Sequence, residues 1–355
     1  MIEVDGSILE GGGQILRMAI TYSSVLGVPV TVRNVRARRP EPGLKPQHLT
    51  TLRAVARICG AECRGLRVGS TEVEYQPRSP RGGAYSFDIG TAGSISLLLQ
   101  CIAPVAAFAD SRLSLRIVGG TSVKWSPPVL LLDKVIWEGF REMGFLVGLT
   151  TLREGFYPRG GGVIEAVFDP IVRLKPLTAL SGTGIARIRG VSLCGRLPFH
   201  VAERQARSAS DELRGYGHLV DVEAIRLTGA EAPLSPGSVI CLWVEAEPRM
   251  YLGSSALGER GKPAERVGAE AAAALSEQLD SEVAVDKYTA DSLPLVCSIA
   301  DGVSEYTTSV LTLHTLTAIE LARLFTDARF EVDGELGGRA RVRCRGVGLR
   351  NDALS

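Results

Sequence analysis

Three groups of residues in this sequence have the types and spacing for phosphate chemistry. Residues 10–17 read EGGGQILR, so Glu10 and Arg17 flank three glycines at the start of an amphipathic segment. Glycines let a backbone approach a phosphate closely, and the free N–H groups of a helix start point towards it. Because Glu10 needs a cation to bind phosphate and Arg17 does not, the pattern predicts a metal-bridged polyphosphate site. The alternative is a tight turn with a solvated Glu10.

The second group is a basic loop between residues 33 and 48. Its cationic side chains are those of Arg33, Arg36, Arg38, Arg39 and Lys45. Three prolines and a glycine in the same stretch exclude a regular helix. Gln47 and His48 follow directly. The loop predicts recognition of a polyanion such as an RNA end, and a solvated charged loop is the alternative.

The third group is a single histidine in the segment VLTLHTLTAIELARLF. A strand-like alternation ends near Leu313, and Thr317 is predicted to cap a helix with Glu320 three residues later. His314 would therefore lie at a strand-to-helix junction. Imidazole is a competent nucleophile towards phosphorus, and a helix start favours the charge of a phosphoryl adduct. A structural role is the alternative, since no Ser-His-Asp spacing surrounds it.

Three further glycine-rich turns are DIGTAGS at 88–94, GGTSVKWSPP at 119–128 and GFYPRGGG at 155–162. In the first, the backbone and the hydroxyls of Thr91 and Ser94 could cradle a phosphate. None of the three is a Walker A loop or a dinucleotide-binding fingerprint. A purely structural role is therefore the alternative for each.

The elements that must position these residues repeat along the chain as a glycine-rich turn, a helix and then one or more strands. This alternation predicts an α/β (α+β) protein whose large domain is built of repeated helix-plus-sheet units. Residues 184–275 differ in texture and predict a smaller inserted α/β domain. The large domain would then comprise residues 1–183 and 276–355.

Composition restricts the class of protein. The chain has 355 residues, 45% of them apolar and 22% charged, with a net charge of +1, so a polyanion must be met by a local patch. The seven cysteines are scattered without a CxxC pair, which argues against zinc and predicts reduced core residues in a cytoplasmic protein. No secretory leader and no membrane span is expected, because the longest apolar run is too short.

Taken together, the motifs resemble the RNA 3′-terminal phosphate cyclase family. The strings that carry the resemblance, in order, are EGGGQILR, RARR-EPGLKPQHL, DIGTAGSISLLLQ, GGTSVKWSPP, GFYPRGGG, VDKYTADSLP and TLHTLT. The resemblance implies repeats like the C-terminal domain of a bacterial translation initiation factor, with a smaller inserted domain. It also implies that a histidine takes AMP from ATP, passes it to an RNA 3′-phosphate, and so forms a 2′,3′-cyclic phosphate.

The resemblance assigns a role to individual positions. His314 is implied as the nucleophile, and Glu10 as the ligand of a divalent metal, Mg²⁺ or Mn²⁺. The residues implied to bind ATP are Gln100, Pro127, Tyr288, Asp291 and His314. Those implied to bind phosphates and the RNA end are Arg17, Arg36, Arg39 and Gln47.

This sequence departs from the family pattern at two positions, where Ala318 replaces the usual Asn and Ser292 the usual Gln. The sequence leaves two other functions open. One is a non-catalytic relative that acts in ribosome assembly, although such proteins lack the histidine. The other is an enolpyruvyl-type transferase of similar architecture. The oligomeric state and the physiological RNA are not predicted.

Overall fold

The chain begins with a mixed four-stranded sheet covered by two helices in the computed structural model, which describes residues 1–354. The elements are β1 (Ile2–Asp5), α1 (Gly13–Leu26), β2 (Val30–Arg33), α2 (Pro46–Cys59), β3 (Glu62–Arg64) and β4 (Val73–Gln76). The strand order is β1-β2-β4-β3, and only the β1–β2 pair is parallel. Because β1 and β2 are parallel, the glycine-rich turn and the basic loop leave the sheet at the same end.

The next part of the chain repeats this arrangement. Its elements are β5 (Gly83–Asp88), α3 (Ile95–Ala107), β6 (Leu113–Gly119), α4 (Val129–Leu131), α5 (Trp137–Glu142), β7 (Leu146–Arg153) and β8 (Gly162–Asp169). A π-helical segment, Leu132–Ile136, joins α4 to α5. The order is β5-β6-β8-β7, and Gly119 pairs with Gly162 at one end of the sheet. All three glycine-rich turns predicted between residues 88 and 162 therefore lie at that end.

A third sheet is formed between residues 185 and 257. After β9 (Thr178–Ala179), the elements are β10 (Ile185–Gly195), α6 (His200–Leu213), β11 (Leu219–Leu227), β12 (Gly237–Ala246), β13 (Gly253–Leu257) and α7 (Ala264–Asp280). The order is β11-β10-β12-β13. Helix α7 packs against α6, where the Ser208 hydroxyl donates to the Glu265 carbonyl at 2.8 Å. Because α7 continues to Asp280, it extends past residue 275.

The C-terminal elements complete the sheet that β9 begins. They are α8 (Lys287–Ile299), β14 (Val303–Thr308), α9 (Leu313–Phe325), β15 (Arg329–Gly334) and β16 (Ala340–Arg345). The order β9-β14-β16-β15 has the same parallel and antiparallel pairings as the first two sheets. Short 3₁₀ turns occur at Arg214–Tyr216, Gly229–Glu231 and Asp352–Leu354. The expected mixed α/β class is confirmed.

Helices α1 and α9, which lie near the two ends of the chain, pack directly on each other. The rings of Tyr22 in α1 and Phe325 in α9 are stacked with centroids 5.2 Å apart. The Tyr22 hydroxyl also lies 2.9 Å from the Ser298 hydroxyl of α8. Burial of these large rings fixes α1 relative to the C-terminal helices. It brings segments about 300 residues apart in sequence to one place.

Two local predictions are wrong. Helix α9 begins at Leu313 and its N-cap is Thr312, whose hydroxyl accepts a hydrogen bond from the Thr315 N–H at 3.0 Å, so Thr317 is inside the helix. The alternation over residues 283–288 predicts a strand, but helix α8 begins at Lys287, because Asp286 caps the N–H groups of Tyr288 and Thr289. In both cases a capping side chain competes with a short alternating pattern. Helix α1 ends at Gly27, whose φ of 68° is the left-handed conformation that glycine adopts easily.

The burial of the cysteines and the character of the helices can be compared with the expectations from composition. Six of the seven cysteines are buried and Cys63 is half-buried, as expected for core residues. Within residues 1–354, no helix combines the length and apolar character needed to cross a bilayer.

Candidate active site

Helices α1 and α9 meet at their N-terminal ends, and this contact forms the centre of the candidate site. The side chain of Gln14, in the first turn of α1, contacts His314, in the first turn of α9. Its Oε1 lies 2.7 Å from Nδ1 of the imidazole, and its Nε2 donates to the His314 carbonyl oxygen at 3.1 Å. His314 therefore lies next to residues from the start of the chain.

This pair of contacts fixes the protonation pattern of the imidazole. A carbonyl oxygen only accepts hydrogen bonds, so the Gln14 nitrogen must face it and the Gln14 oxygen must face Nδ1. Nδ1 therefore carries the proton, and the lone pair of a neutral ring lies on Nε2. Burial lowers the pKa of His314, Asp291 opposes that shift, and Arg17 and Arg39 add to it. A neutral imidazole with an available Nε2 is the form that attacks an electrophile.

Asp291 of α8 lies beside the start of α9. Its Oδ1 accepts hydrogen bonds from the hydroxyls of Thr312, at 2.5 Å, and Thr315, at 2.7 Å. Burial raises the pKa of Asp291, and these two hydroxyls and His314 offset part of that shift. The carboxyl group thus links α8 to the N-cap of α9 and stabilises positive charge on the imidazole.

Glu10 lies in the turn before α1 and is almost fully buried, with 6% of its side chain exposed. Its Oε2 accepts a hydrogen bond from the Gly12 N–H at 2.7 Å, and its Oε1 is paired with the guanidinium of Arg39. The Glu10 N–H donates to the hydroxyl of Thr317 in α9 at 3.3 Å. The acidic turn and the basic loop are therefore joined by an ion pair next to the start of α9.

The glycines of the turn make room for this cluster. A Cβ on Gly12 would collide with the carboxylate of Glu10, and one on Gly13 would collide with the imidazole of His48. Gly12 is also the N-cap of α1 and has no side chain with which to satisfy the first N–H groups. Those N–H groups stay available to an anion.

Arg17 and His48 form the inner wall next to Gly13. A Cβ on Gly13 would lie 3.2 Å from an Arg17 guanidinium nitrogen. Burial, together with Arg17, Arg36 and Lys45, lowers the pKa of His48 to about 3. Nδ1 of His48 accepts from the Lys45 N–H at 3.3 Å, so Nε2 carries the proton of the neutral ring. His48 therefore presents an N–H donor towards the turn.

Gln47 and Arg36, which are also expected to bind phosphates or the RNA end, differ in their surroundings. Gln47 reaches the DIGTAGS turn, where its Oε1 accepts from the Ser94 N–H at 3.1 Å. Arg36 instead holds its own loop together, because its Nη1 donates to the carbonyls of Glu41 and Gly43, each at 2.8 Å. A structural function of Arg36 is visible, whereas a phosphate contact stays a prediction.

Of the residues expected to bind ATP, Gln100 lies on α3, and Tyr288 and Asp291 lie on α8. Gln100 donates to the hydroxyl of Ser292 at 3.3 Å. Ser292, which replaces the usual Gln of the family, therefore still supplies a hydrogen-bond partner for Gln100. The Pro127 carbonyl accepts from the Ser96 hydroxyl at 2.7 Å. Tyr288 is 42% exposed and borders a cavity of about 150 Å³. A cleft of about 320 Å³ lies elsewhere, on α6 and α7, among charged side chains such as the paired Arg204 and Glu265.

Sequence reasoning did not assign roles to Gln14, His48, Thr312 and Thr315. Gln14 lies inside the EGGGQILR string and His48 inside the basic stretch, so their position in a motif was the one signal that could have found them. Thr312 and Thr315 gave no such signal, because their partner Asp291 is far away in sequence. The other departure, Ala318, is fully buried in α9.

The fold and the site together define a mixed α/β protein whose candidate anion site contains a histidine, a carboxylate and two arginines. The family model described as RNA 3′-terminal phosphate cyclase matches residues 8–332. The chain belongs to this family. Among similar proteins are RNA 3′-terminal phosphate cyclases of Methanopyrus kandleri, 44% identical over 98% of this chain and 99% of the relative, and of Desulfurococcus amylolyticus, 44% identical over 99% of each. That of Pyrococcus abyssi is 42% identical over 97% of this chain and 98% of its own length.

Proposed function

We propose that this protein uses ATP to convert an RNA 3′-terminal phosphate into a 2′,3′-cyclic phosphate through a covalent adenylyl-histidine. The observation that supports this proposal most is the Gln14–His314 contact, which leaves Nε2 of a neutral imidazole available next to two helix starts. Family membership and the names of the relatives support the substrate.

In the first step, the Nε2 lone pair of His314 attacks the α-phosphorus of ATP. An N–P bond forms, the bond to the β-phosphate oxygen breaks, and pyrophosphate leaves. The ring keeps its Nδ1 proton, which is hydrogen bonded to Gln14, and so becomes positively charged. The Asp291 carboxylate stabilises that charge. Arg17 and Arg39 neutralise charge on the departing phosphates.

In the second and third steps, RNA displaces the histidine and then AMP. An oxygen of the RNA 3′-phosphate attacks the adenylyl phosphorus, and the N–P bond breaks to restore the neutral imidazole. The terminal 2′-hydroxyl then attacks the 3′-phosphorus and releases its proton, AMP leaves, and the cyclic diester forms. Gln47, Arg36 and Arg39 are the residues we assign to the RNA end. His48 presents its Nε2–H towards the glycine turn before α1, where it acts as an uncharged hydrogen-bond donor.

ATP is assigned to the side of the site formed by α3 and α8. Tyr288 and Pro127 would pack on the adenine, and the partial exposure of Tyr288 leaves its ring accessible to a base. Gln100 and Asp291 would contact the nucleotide near His314. Packing of an exposed aromatic ring on a purine is favourable without any change of charge.

A divalent cation would bind at Glu10 only if the phosphates of the substrate supplied further ligands. No cluster of three or more His, Cys, Asp or Glu side chains able to hold a metal occurs within residues 1–354. Mg²⁺ commonly takes one or two carboxylates and completes its shell with phosphate and water. The nearly buried Glu10 carboxylate is such a ligand, and Arg39 would have to leave it. When bound there, the cation would neutralise phosphate charge.

The architecture supports the proposed division of the chain. Three sheets have the same order and pairing, and the sheet of residues 185–257 is placed in sequence between β9 and its partner β14. We infer that the three like sheets are repeats of the large domain, and that residues 184–275 form the core of an insertion to which all of α7 belongs. Cytoplasmic localisation stays a prediction from the reduced cysteines.

The test is transfer of label from ATP to the protein. With ATP labelled at the α-phosphate and Mg²⁺ or Mn²⁺, we expect acid-labile label on the parent and none on His314→Ala. His200→Ala is a matched control, because His200 also lies in the first turn of a helix and is exposed. Full labelling of His314→Ala would refute the nucleophile. An unlabelled parent would favour a non-catalytic relative or an enolpyruvyl-type transferase.

A further inference from the structure

Trp125 differs from the other two tryptophans of the chain because it is almost fully exposed. The residue is 94% exposed, whereas Trp137 and Trp243 are 0% and 7% exposed. Its backbone has φ of 63°, a left-handed conformation that is unfavourable for a bulky residue. An apolar ring held in solvent on a strained backbone is a feature of binding sites more than of stable surfaces.

A second exposed aromatic residue lies on the neighbouring loop. Tyr157, in the turn GFYPRGGG, is 77% exposed. The two loops are bonded together, since the Thr121 hydroxyl accepts from the Gly155 N–H at 2.8 Å and the Thr121 N–H donates to the Gly155 carbonyl at 3.0 Å. Trp125 and Tyr157 follow these bonded residues closely in sequence. Both residues therefore lie, largely exposed, on loops at one end of the β5-β6-β8-β7 sheet.

This end of the sheet is continuous with the candidate active site. A Cβ on Gly160 would lie 2.7 Å from the α-carbon of Ala92, so the GFYPRGGG turn touches the DIGTAGS turn. The DIGTAGS turn in turn holds Gln47 through the Ser94 N–H. The aromatic loops thus lie next to Gln47, one of the residues assigned to the RNA end.

The charges on these loops suit a polyanion. Arg159 is exposed and has no acidic partner within residues 1–354. Lys124 stays half exposed although it pairs with Glu259 at 2.8 Å. Aromatic rings between cationic side chains are the surface on which proteins stack the bases of single-stranded nucleic acid.

We propose that Trp125 and Tyr157 form a stacking platform for the unpaired bases that precede the 3′-terminal phosphate of the RNA. This inference rests on the proposed function and adds to it a substrate preference. Stacking does not read base edges, so the platform favours single-stranded ends of several nucleotides over mononucleotides, without selecting a sequence.

Intrinsic fluorescence tests the platform directly, because Trp125 is the exposed tryptophan. We expect a five-nucleotide RNA with a 3′-phosphate to quench the fluorescence and to reduce quenching by acrylamide. A nucleoside 3′-phosphate should do neither. Absence of any change with the longer RNA would overturn the proposal. The measurement needs neither ATP nor His314, so its failure is distinct from failure of the labelling test.

Affinity measurements with variants provide the second test. In anisotropy assays, Trp125→Ala should bind the five-nucleotide RNA at least about fivefold more weakly, Trp125→Tyr should regain most of the affinity, and Tyr157→Ala should lose a similar factor. Phe199→Ala, which removes another exposed ring, is the control and should bind like the parent. Equal losses for the five-nucleotide RNA and the nucleoside 3′-phosphate would overturn the platform. Self-labelling is measured in parallel, because its loss in Trp125→Ala would place this ring in the nucleotide site instead.

Discussion

Gln14 accepts a hydrogen bond from Nδ1 of His314 at 2.7 Å and donates to the carbonyl oxygen of the same residue at 3.1 Å. One amide thus holds both the ring and the backbone at the start of α9. The contact orients the imidazole and selects its tautomer. It joins two helices whose first turns are 300 residues apart.

Changing Gln14 should alter the pH dependence of self-adenylylation. Burial lowers the pKa of His314, so in the parent the neutral ring persists, and labelling continues, below the ordinary value of about 6.5. In Gln14→Glu, a carboxylate would favour the protonated ring and raise its pKa, so the acid limb of the rate profile should move to higher pH. Gln14→Leu should lower the rate on the order of 100-fold through misplacement of the ring. An unchanged acid limb in Gln14→Glu would contradict this assignment.

Replacing Glu10 should change the metal requirement. Glu10→Gln keeps the shape of the side chain but removes its charge, so half-maximal labelling should need roughly tenfold more Mg²⁺ or Mn²⁺. The measurement is the rate of labelling against metal concentration. Glu41→Gln is the matched control, because Glu41 is also paired with a cation, Lys45, but is exposed. The same metal dependence in both variants would show that Glu10 is no metal ligand.

Arg36 and Arg39 should differ in their effect on stability, although both lie in the basic loop and both are assigned to the RNA end. Arg39 has 43% of its side chain exposed, so Arg39→Ala should weaken RNA binding and reduce the salt slope by about 0.7 for each phosphate that this side chain neutralises. Arg36→Ala removes the donor to two loop carbonyls and should lower the melting temperature. RNA titrations at several salt concentrations and thermal melts separate the two effects. An unchanged melting temperature in Arg36→Ala would contradict its structural role.

Asp286 should make stability depend on pH. Burial raises its pKa from 3.8 to about 7, so the folded protein holds a proton that the unfolded chain releases. Its stabilising contribution is fully present below about pH 4 and is lost as the pH rises through 7, by up to about 4 kcal/mol. Asp286→Asn keeps a good N-cap and does not titrate. Denaturant unfolding between pH 4 and 8 should show a flatter profile for this variant, and identical profiles would contradict the prediction.

Local patterns in the sequence determined the class of the fold, and they singled out Glu10, Arg17 and His314 as candidates for the site. The stop of α1 at Gly27, the α/β alternation and the strings around Glu10 and His314 all follow from backbone preferences and spacing. These signals act over a few residues, so they can be recognised from the sequence alone. The sequence misplaces the start of α9 because Thr312 and Thr317 are equally good caps on local chemistry.

Only the tertiary structure decided which of these residues act together. Gln14 and His314, like Glu10 and Thr317, meet because buried rings such as Tyr22 and Phe325 dock α1 onto α9. Asp291 meets Thr312 because α8 packs against α9. Likewise, the guanidinium of Arg36 binds carbonyls of its own loop, whereas that of Arg39 pairs with Glu10. The two arginines are the same residue type three positions apart, so the path of the folded loop, and not composition, gave them different surroundings.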